Sequence, residues 1–464
     1  MSEIDAATDS NFRPARRKVA GWGNFPIEEC AVYRPERRAD LQELVTSAPE
    51  PHVIARGLGR AYGDAALNRG SAILLGERLD RILEFDADTG VLWCETGVSL
   101  SEVIDVFLPR GFFFPVTPGT KFISIGGAIA ADVHGKNHHH DGSIGSWLLD
   151  FRLLTASGEI LECSRESNAD VFWATIGGMG LTGYVLDARI TLKPVDNAYV
   201  TVDYEKAPSL DAVLESFLRH EGEHVYEVAW IDALAKGARL GRGIIMRANH
   251  SGWEELSPDA RRAPMAVQTK TALTVPFSAP NGTLNPLSVR AFNTAFWAAH
   301  RNGRRVVDCN SFFYPLDRVN YWNRAYGSRG CIQYQALVPP RNGREALIEL
   351  FETIGRANWP AFLSVLKPFG QASGGLLSFP RPGYTLTFDL PAPSPKLLEV
   401  VAELDHIVLR YGGSVYMAKD SCLHPESLPP MYPELGRFCD IKAKVDPNAR
   451  FSSSLARRLG IVEE

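Results

Sequence analysis

Val53-Ile-Ala-Arg-Gly-Leu-Gly-Arg-Ala-Tyr-Gly-Asp64 sets three glycines directly behind a short apolar run. His52-Val-Ile-Ala55 reads as a strand. The glycines after it permit a turn whose backbone N–H groups point inward and approach a ligand closely, where a Cβ would stand in the way. Their spacing is G-x-G-x-x-x-G and no clean helix follows, which disfavours a nicotinamide-binding Rossmann unit. A second cluster, Pro118-Gly-Thr-Lys-Phe-Ile-Ser-Ile-Gly-Gly-Ala-Ile-Ala-Ala-Asp-Val-His-Gly-Lys-Asn-His-His-His140, carries a Gly-Gly pair, small residues and then a His-Gly step. Such a backbone can lie flat against a planar or pyrophosphate ligand while His134 presents an imidazole from a turn. The third, Phe172-Trp-Ala-Thr-Ile-Gly-Gly-Met-Gly-Leu-Thr-Gly183, precedes the alternating run Tyr184 to Leu192, the pattern of a half-buried strand. Taken alone, the first loop is a plain tight turn more often than a phosphate cradle; the order and separation of all three carry the information.

Outward from these loops, the residues up to Pro194 alternate short strands with turn clusters, among them Ala72-Ile-Leu-Leu75, Gly90-Val-Leu-Trp-Cys94 and Phe151-Arg-Leu-Leu-Thr155. Short helices are expected at Asp40 to Ala48 and at Ser99 to Leu108, the latter capped by Ser99 or Ser101. From Asp196 the glycine clusters stop. Asn197 to Glu205 and Val225 to Ile231 read as extended, whereas Glu345 to Gly355 and Lys396 to Tyr411 have helical spacing, with Leu397, Val401, Leu404 and Val408 on one face. The class is α+β, with a domain boundary at Pro194.

The chain has 464 residues, 45% hydrophobic and 22% charged, which excludes disordered and fibrous classes and leaves room for two or three cores. Its formal charge is 49 − 54 = −5, so no cationic field favours nucleic acid and none is expected as a partner. Cys30, Cys94, Cys163, Cys309, Cys331, Cys422 and Cys439 are too scattered for a disulfide framework or a zinc knuckle. His134, His138, His139 and His140 cannot all face one ion from a loop and lack acidic or cysteine partners at zinc spacing; no metal site is expected. Arg16-Arg17 is followed by no apolar segment, so a twin-arginine or secretory signal is not expected. The uncharged stretch Thr271 to Val289 contains Pro276, Pro280 and Pro286 and reads as a mobile loop, able to cover a site or rest against lipid, rather than a membrane span.

Together the three loops resemble the FAD-binding domain of the vanillyl-alcohol-oxidase (PCMH) type of flavoprotein. The stretches ARGLGRAYGD, GGAIAADVHGKNHH, FWATIGGMGLTG, WNRAYG, QYQ, LSFPRPG, YMAKDS and KVDP carry the likeness from Gly21 to Leu459 and are similar to its decaprenylphosphoryl-β-D-ribose 2-oxidase-like branch. The resemblance implies a flexible tail over 1–20, a two-subdomain FAD-binding domain over 21–195, an α+β substrate domain on an antiparallel sheet over 196–412, and a segment 413–464 that returns to the FAD domain. It implies FAD contacts from Ala55, Arg56, Gly57, Leu58, Gly59, Arg60, Ala61, Tyr62, Gly63, Asp64 and Ala65. Further contacts are Gly119, Ser124, Ile125, Gly126, Gly127, Ala131, Asp132, Val133, His134, Val185 and Tyr416. In the wider family a histidine in this Gly-Gly-to-His-Gly segment attaches covalently to the flavin; in this branch the FAD is expected to be non-covalent, with His134 packing or hydrogen bonding.

By the same resemblance Tyr62, Lys136, Gln335, Lys367 and Lys419 face the substrate. A phosphate-linked substrate needs cationic anchors, for which Lys367 and Arg324 are candidates, both reading equally well as structural ion pairs. The sequence departs from the branch at Thr387, where an active-site cysteine attacked by covalent inhibitors is expected, and at Thr385, where asparagine is expected. Oxidation of an alcohol needs a base for the hydroxyl proton and positive charge near the electron acceptor. Desolvation lowers a lysine pKa, so Lys419 or Lys136 suits either task and the sequence does not rank them.

The activity implied is FAD-dependent oxidation of the 2′-hydroxyl of a polyprenylphosphoryl ribofuranose to a ketone, with a short-chain reductase completing epimerisation in cell-wall arabinan synthesis. The alternatives are an oxidase of a free polyol, aldonolactone or other sugar, and a flavin-free binding protein of the same fold. The expected location is cytoplasmic or peripheral at the inner membrane, the periplasmic side being possible by family resemblance.

Overall fold

In the computed structural model, residues 13–267 and 273–463 are described. The first half contains two small sheets. A four-stranded mixed sheet runs in the order Ala15–Ala20, Ile27–Tyr33, Ala72–Leu75, Val53–Arg56; its first pairing is antiparallel and the other two are parallel. A five-stranded antiparallel sheet follows in the order Ile82–Asp86, Val91–Glu95, Tyr184–Thr191, Leu148–Leu154, Ile160–Ser164. The helix Leu100–Phe107 takes Ser99 as its N-cap, whose Oγ accepts the Glu102 N–H while the Glu102 carboxylate reaches back to the Ser99 N–H. Ala15 to Ala20, expected within a flexible tail, instead pair antiparallel with Ile27 to Val32. Arg16, Arg17 and Lys18 stay exposed on this edge strand, so the backbone is paired while the charges remain hydrated.

The second half is built on one eight-stranded antiparallel sheet. Its order is Gly303–Asp308, Tyr199–Ala207, Gly243–His250, Tyr226–Ile231, Ser364–Phe369, Gly383–Pro391, Cys331–Val338, Ser414–Val415. Helices Leu210–Arg219, Gly343–Ala357 and Pro395–Arg410 cover one face of it. Leu347, Leu350, Phe351 and Ile354 meet Leu397, Leu404 and Val408 in that core, all at most 2% exposed. Full burial of such side chains stabilises by about 1.5–3 kcal/mol each. All seven cysteines are free.

The stretch expected as one mobile loop is irregular over 275–285 but regular on either side of it. Leu273 and Thr274 pair parallel with Val319 and Asn320, and Pro286 opens a helix that runs to Ala299. Asn285 Oδ1 accepts the N–H groups of Leu287 and Ser288, and proline suits a first helical turn, where its missing N–H would have had no partner. Thr271 and Ala272 lie outside the described residues. Past Val415 the chain crosses back to the first half, where Val53 N–H donates to Arg450 O (2.8 Å) and Ser452 N–H to Val53 O (3.1 Å). Among the described residues no helix is long and apolar enough to cross a membrane.

Candidate active site

The glycine loops and the uncovered face of the large sheet enclose a cavity of about 1050 Å³. On the loop wall, a Cβ at Gly57 would stand 2.0 Å from Ser124 Oγ, the atom that caps the short helix Ile125–Ala130 by accepting the Gly127 N–H. Gly59 lies in the left-handed region at φ +63°. Among the described residues, the N–H groups of Leu58, Gly59, Arg60 and Ala61 have no protein acceptor, although all four residues line the cavity. Four such N–H groups in succession form a seat for a pyrophosphate. The Gly-Gly pair, read as flat backbone, sits in the first turn of that short helix, and Gly126 packs against Thr96, where a Cβ would come within 3.1 Å.

The opposite wall follows from the two-residue period of a strand. Gln333 and Gln335, Val365 and Lys367, Thr387 and Asp389, and Val228 and Trp230 all line the cavity. Their in-between neighbours Tyr334, Leu366 and Phe388 are buried in the core. Cross-strand register places Gln333 opposite Asp389 and Gln335 opposite Thr387.

Two hydrogen-bonded sets fix this surface. The Gln335 amide donates to His134 Nε2 (3.0 Å) and to Thr385 Oγ1 (3.1 Å), and Thr385 in turn donates to Ala336 O. With Nε2 accepting, the imidazole proton sits on Nδ1, a buried atom with no protein partner. Burial and the nearby Lys367 hold His134 well below its usual pKa, so it is neutral. In the second set Tyr326 Oη and Gln333 Nε2 each donate to the fully buried Asp389, both at 2.5 Å. Desolvation raises the Asp389 carboxyl.

Three lysines converge here. Lys419 Nζ stands 4.0 Å from the centre of the Tyr62 ring, a cation–π contact, and Lys136 Nζ donates to Phe313 O at 3.1 Å. Desolvation lowers Lys419 and Lys136 each to about 8. Lys367 falls to about 7, by desolvation and then by the charges of Lys136 and Lys419. A cluster of this kind in a concave site binds anions and supplies a neutral amine near neutral pH.

Most of the residues singled out in the sequence meet in this one cavity: Tyr62, His134, Lys136, Gln335, Lys367, Thr387, Tyr416 and Lys419, with the loop from Ala55 to Tyr62. Others stand behind the wall. Gly63 packs on Asp420 O, where a Cβ would lie at 1.7 Å, and Asp64 is bound to Arg458 Nε and Nη2. Ile125 is fully buried, and Asp132 takes the hydroxyls of Ser143 (2.8 Å), Ser373 (2.7 Å) and Ser378. These four hold the lining without belonging to it. Arg324, expected as a phosphate anchor, instead donates through Nη1 to the carbonyls of Val275 and Pro276 (both 2.9 Å) and lies over the Tyr321 ring. Sequence reasoning missed Gln333, Asp389 and Tyr326. Gln333 and Asp389 were signalled by alternation along Cys331–Val338 and Gly383–Pro391, which means nothing until the two strands are paired, while Tyr326 stands in the short helical turn Trp322–Tyr326 and reaches Asp389 only in the fold.

The unpartnered loop N–H groups, the His134 Nδ1–H and the glycine-bounded cavity fit a dinucleotide with a planar ring system. Residues 30–164 match the family described as FAD binding domain. The chain is 37% identical over 464 residues to decaprenylphosphoryl-β-D-ribose oxidase of Mycolicibacterium smegmatis, covering 98% of this chain and 99% of that protein. It is 35% identical over 372 residues to an uncharacterized protein of Streptomyces coelicolor, covering 78% of this chain and all of that one. It is 23% identical over 446 residues to L-gulonolactone oxidase of Mus musculus, covering 92% and 94% of the two chains.

Proposed function

Because this chain belongs to the decaprenylphosphoryl-β-D-ribose oxidase family of FAD-dependent oxidoreductases acting on CH–OH groups, we propose that it oxidises the 2′-hydroxyl of a polyprenylphosphoryl ribofuranose to a ketone. The observation that carries this reading is the convergence of three desolvated lysines, Lys367 from the sheet, Lys136 from the second glycine loop and Lys419 from the turn after Ser414–Val415, on a cavity whose loop wall is a dinucleotide seat. FAD, when bound, supplies the two-electron acceptor. Residues 55–62, Ser124, Gly126, Gly127 and Tyr416 would hold it, non-covalently, with the neutral His134 donating through Nδ1.

On the protein's side the reaction divides among few groups. Lys419 takes the hydroxyl proton at Nζ: the Tyr62 ring and the nearby Asp389 carboxyl stabilise its ammonium form, while desolvation keeps the neutral form accessible. Lys136, tied to Phe313 O, and Lys367 supply positive charge for the phosphate and for the developing alkoxide. Gln335 and Gln333 present amides to the sugar from one sheet face, each already held by its partner in the wall. A short-chain reductase consuming the keto sugar completes the proposed epimerisation.

Anaerobic mixing of the purified holoprotein with polyprenylphosphoryl ribose, with free alditols and with aldonolactones tests the substrate. Loss of the flavin absorbance near 450 nm with the lipid-linked sugar alone is expected. Reduction by an aldonolactone or alditol and not by the lipid-linked sugar overturns the reading.

A further inference from the structure

The sheet face that presents Gln335 and Lys367 continues well past them. Cross-strand register pairs Gln335 with Thr387, Thr387 with Val365 and Val365 with Trp230. Val228, two residues before Trp230 on the same strand face, pairs with Met246, and Met246 pairs with Tyr204. All of these side chains line the cavity. The row changes character at the strand Ser364–Phe369, which carries Lys367: amides and hydroxyls stand on one side of it, and Trp230, Val228, Met246 and Tyr204 on the other. From that strand to the one bearing Tyr204 is three strand spacings, about 14 Å.

The helix Pro286–Ala299 roofs this apolar half. Phe292 and Phe296, about one turn apart, line the cavity, as does His300 at the helix end. Their rings belong to one line of contacts, measured between centroids: Tyr326 to Phe362 (6.3 Å), Phe362 to Phe292 (5.1 Å), Phe292 to Phe296 (5.7 Å), Phe296 to His300 (4.2 Å) and His300 to Tyr204 (6.3 Å). Phe296 also meets Trp230 at 4.8 Å. The line starts at Tyr326, which donates to Asp389, and ends where Tyr204 and His300 are half-buried. The Trp230 Nε1–H, buried at the head of the apolar half, has no protein acceptor among the described residues. Floor and roof include no acid, lysine or arginine. A gallery of this kind beside a cationic pocket fits a ligand that joins a charged head to a long apolar tail, and its aromatic walls pack well against flat, unsaturated hydrocarbon.

We propose that this gallery, floored by Val228, Trp230, Met246 and Tyr204 and roofed by Phe292 and Phe296, holds the phosphate-proximal isoprene units of the substrate's polyprenyl chain, with the phosphate beside Lys367 and the Trp230 Nε1–H. The inference rests on the lipid-phosphate reading for the identity of the chain, whereas occupation of the gallery is measurable without the sugar. The chain then runs across the strands, away from the flavin seat, and its distal part leaves past Tyr204 and His300.

The test compares β-D-ribofuranosyl phosphates esterified with a methyl or a farnesyl group in anaerobic flavin reduction by the FAD-loaded full chain. The farnesyl ester should exceed the methyl ester in kcat/KM by about 100-fold or more, through KM. Met246→Trp fills the gallery midway and Phe296→Asp puts a charge in its roof. Each should cut the farnesyl advantage about tenfold or more while keeping the flavin spectrum. Farnesyl phosphate, which carries no sugar, is titrated calorimetrically into the same three proteins and should bind the wild type about tenfold more tightly than either variant. An undiminished farnesyl advantage in both variants overturns the gallery and leaves the substrate reading intact, the chain then leaving through the mouth beside Tyr321. Weakened farnesyl phosphate binding in the variants, with neither riboside reducing the flavin, supports the gallery and removes the ribose substrate. Equal binding of farnesyl phosphate to all three proteins overturns the proposal.

Discussion

Lys419 accepts a proton only when neutral, and burial has lowered it to about 8. A lysine lowered in this way gains its neutral form as pH rises through that value. The rate of flavin reduction by substrate should therefore climb between about pH 7 and pH 9 and then level off, as followed by stopped-flow absorbance. Lys419→Met should slow that step about 10²- to 10⁴-fold and abolish the climb, with FAD still bound; an unchanged profile would remove Lys419 from the role. Thr387 makes a second prediction. Its side chain lines the cavity beside Gln335, where the family resemblance leads to an expectation of cysteine, so the wild type should gain no adduct from thiol-directed electrophiles in the peptide spanning Gly383–Pro391. Thr387→Cys should gain one, detectable as a mass increase in the peptide spanning Gly383–Pro391. At this scale the sequence was legible where a residue stands next to a motif, as Tyr62, His134 and Lys419 do. Arg324 was not decided by the sequence because an isolated arginine near a predicted site looks the same whether it meets a phosphate or two backbone carbonyls.

Secondary-structure elements contribute through one clamp. Arg458, in the helix Ser454–Arg458, donates to both carboxylate oxygens of Asp64 and to Asp420 Oδ2 (2.8 Å), while Tyr62 N–H donates to Ala418 O (3.1 Å). Asp64 follows the FAD loop, and Asp420 follows Lys419. The guanidinium thereby holds together the turn that carries Lys419, the proposed base, and the turn that carries the Tyr62 ring beneath it. Arg458→Met leaves two adjacent carboxylates without their shared partner and should cost about 3–5 kcal/mol in urea unfolding at pH 7. Arg458→Lys should recover only part of that, since an ammonium cannot make the forked contact. The glycine clusters and the two long helices announced themselves through backbone freedom and a 3.6-residue period. The edge strand Ala15–Ala20 did not, because three of its six residues are cationic and its pairing is made by the backbone. The helix Pro286–Ala299 was hidden by its opening proline, which breaks a helix interior but starts one readily.

The molecule as a whole carries buried ionisable groups away from the cavity, and they set how its stability responds to pH. Asp405, 4% exposed on the helix Pro395–Arg410, has its carboxyl raised to about 8 by desolvation and then by Asp420. A raised folded-state pKa means that the stability this group contributes is present in acid and is lost as pH rises from about 4 through 8. Asp405→Asn should therefore raise the thermal midpoint at pH 8 more than at pH 5; an equal shift at both would show that its proton is not involved. The clamp also has a consequence in time. Asp64 and Arg458 are 394 residues apart in the chain, an interval of roughly 20 to 80 s at ribosomal speeds of 5–20 residues per second. Throughout that interval the nucleotide seat is already synthesised but unlatched, so firm capture of the cofactor is a post-translational event, and a cell short of FAD would accumulate finished chains with an open seat rather than stalled ones.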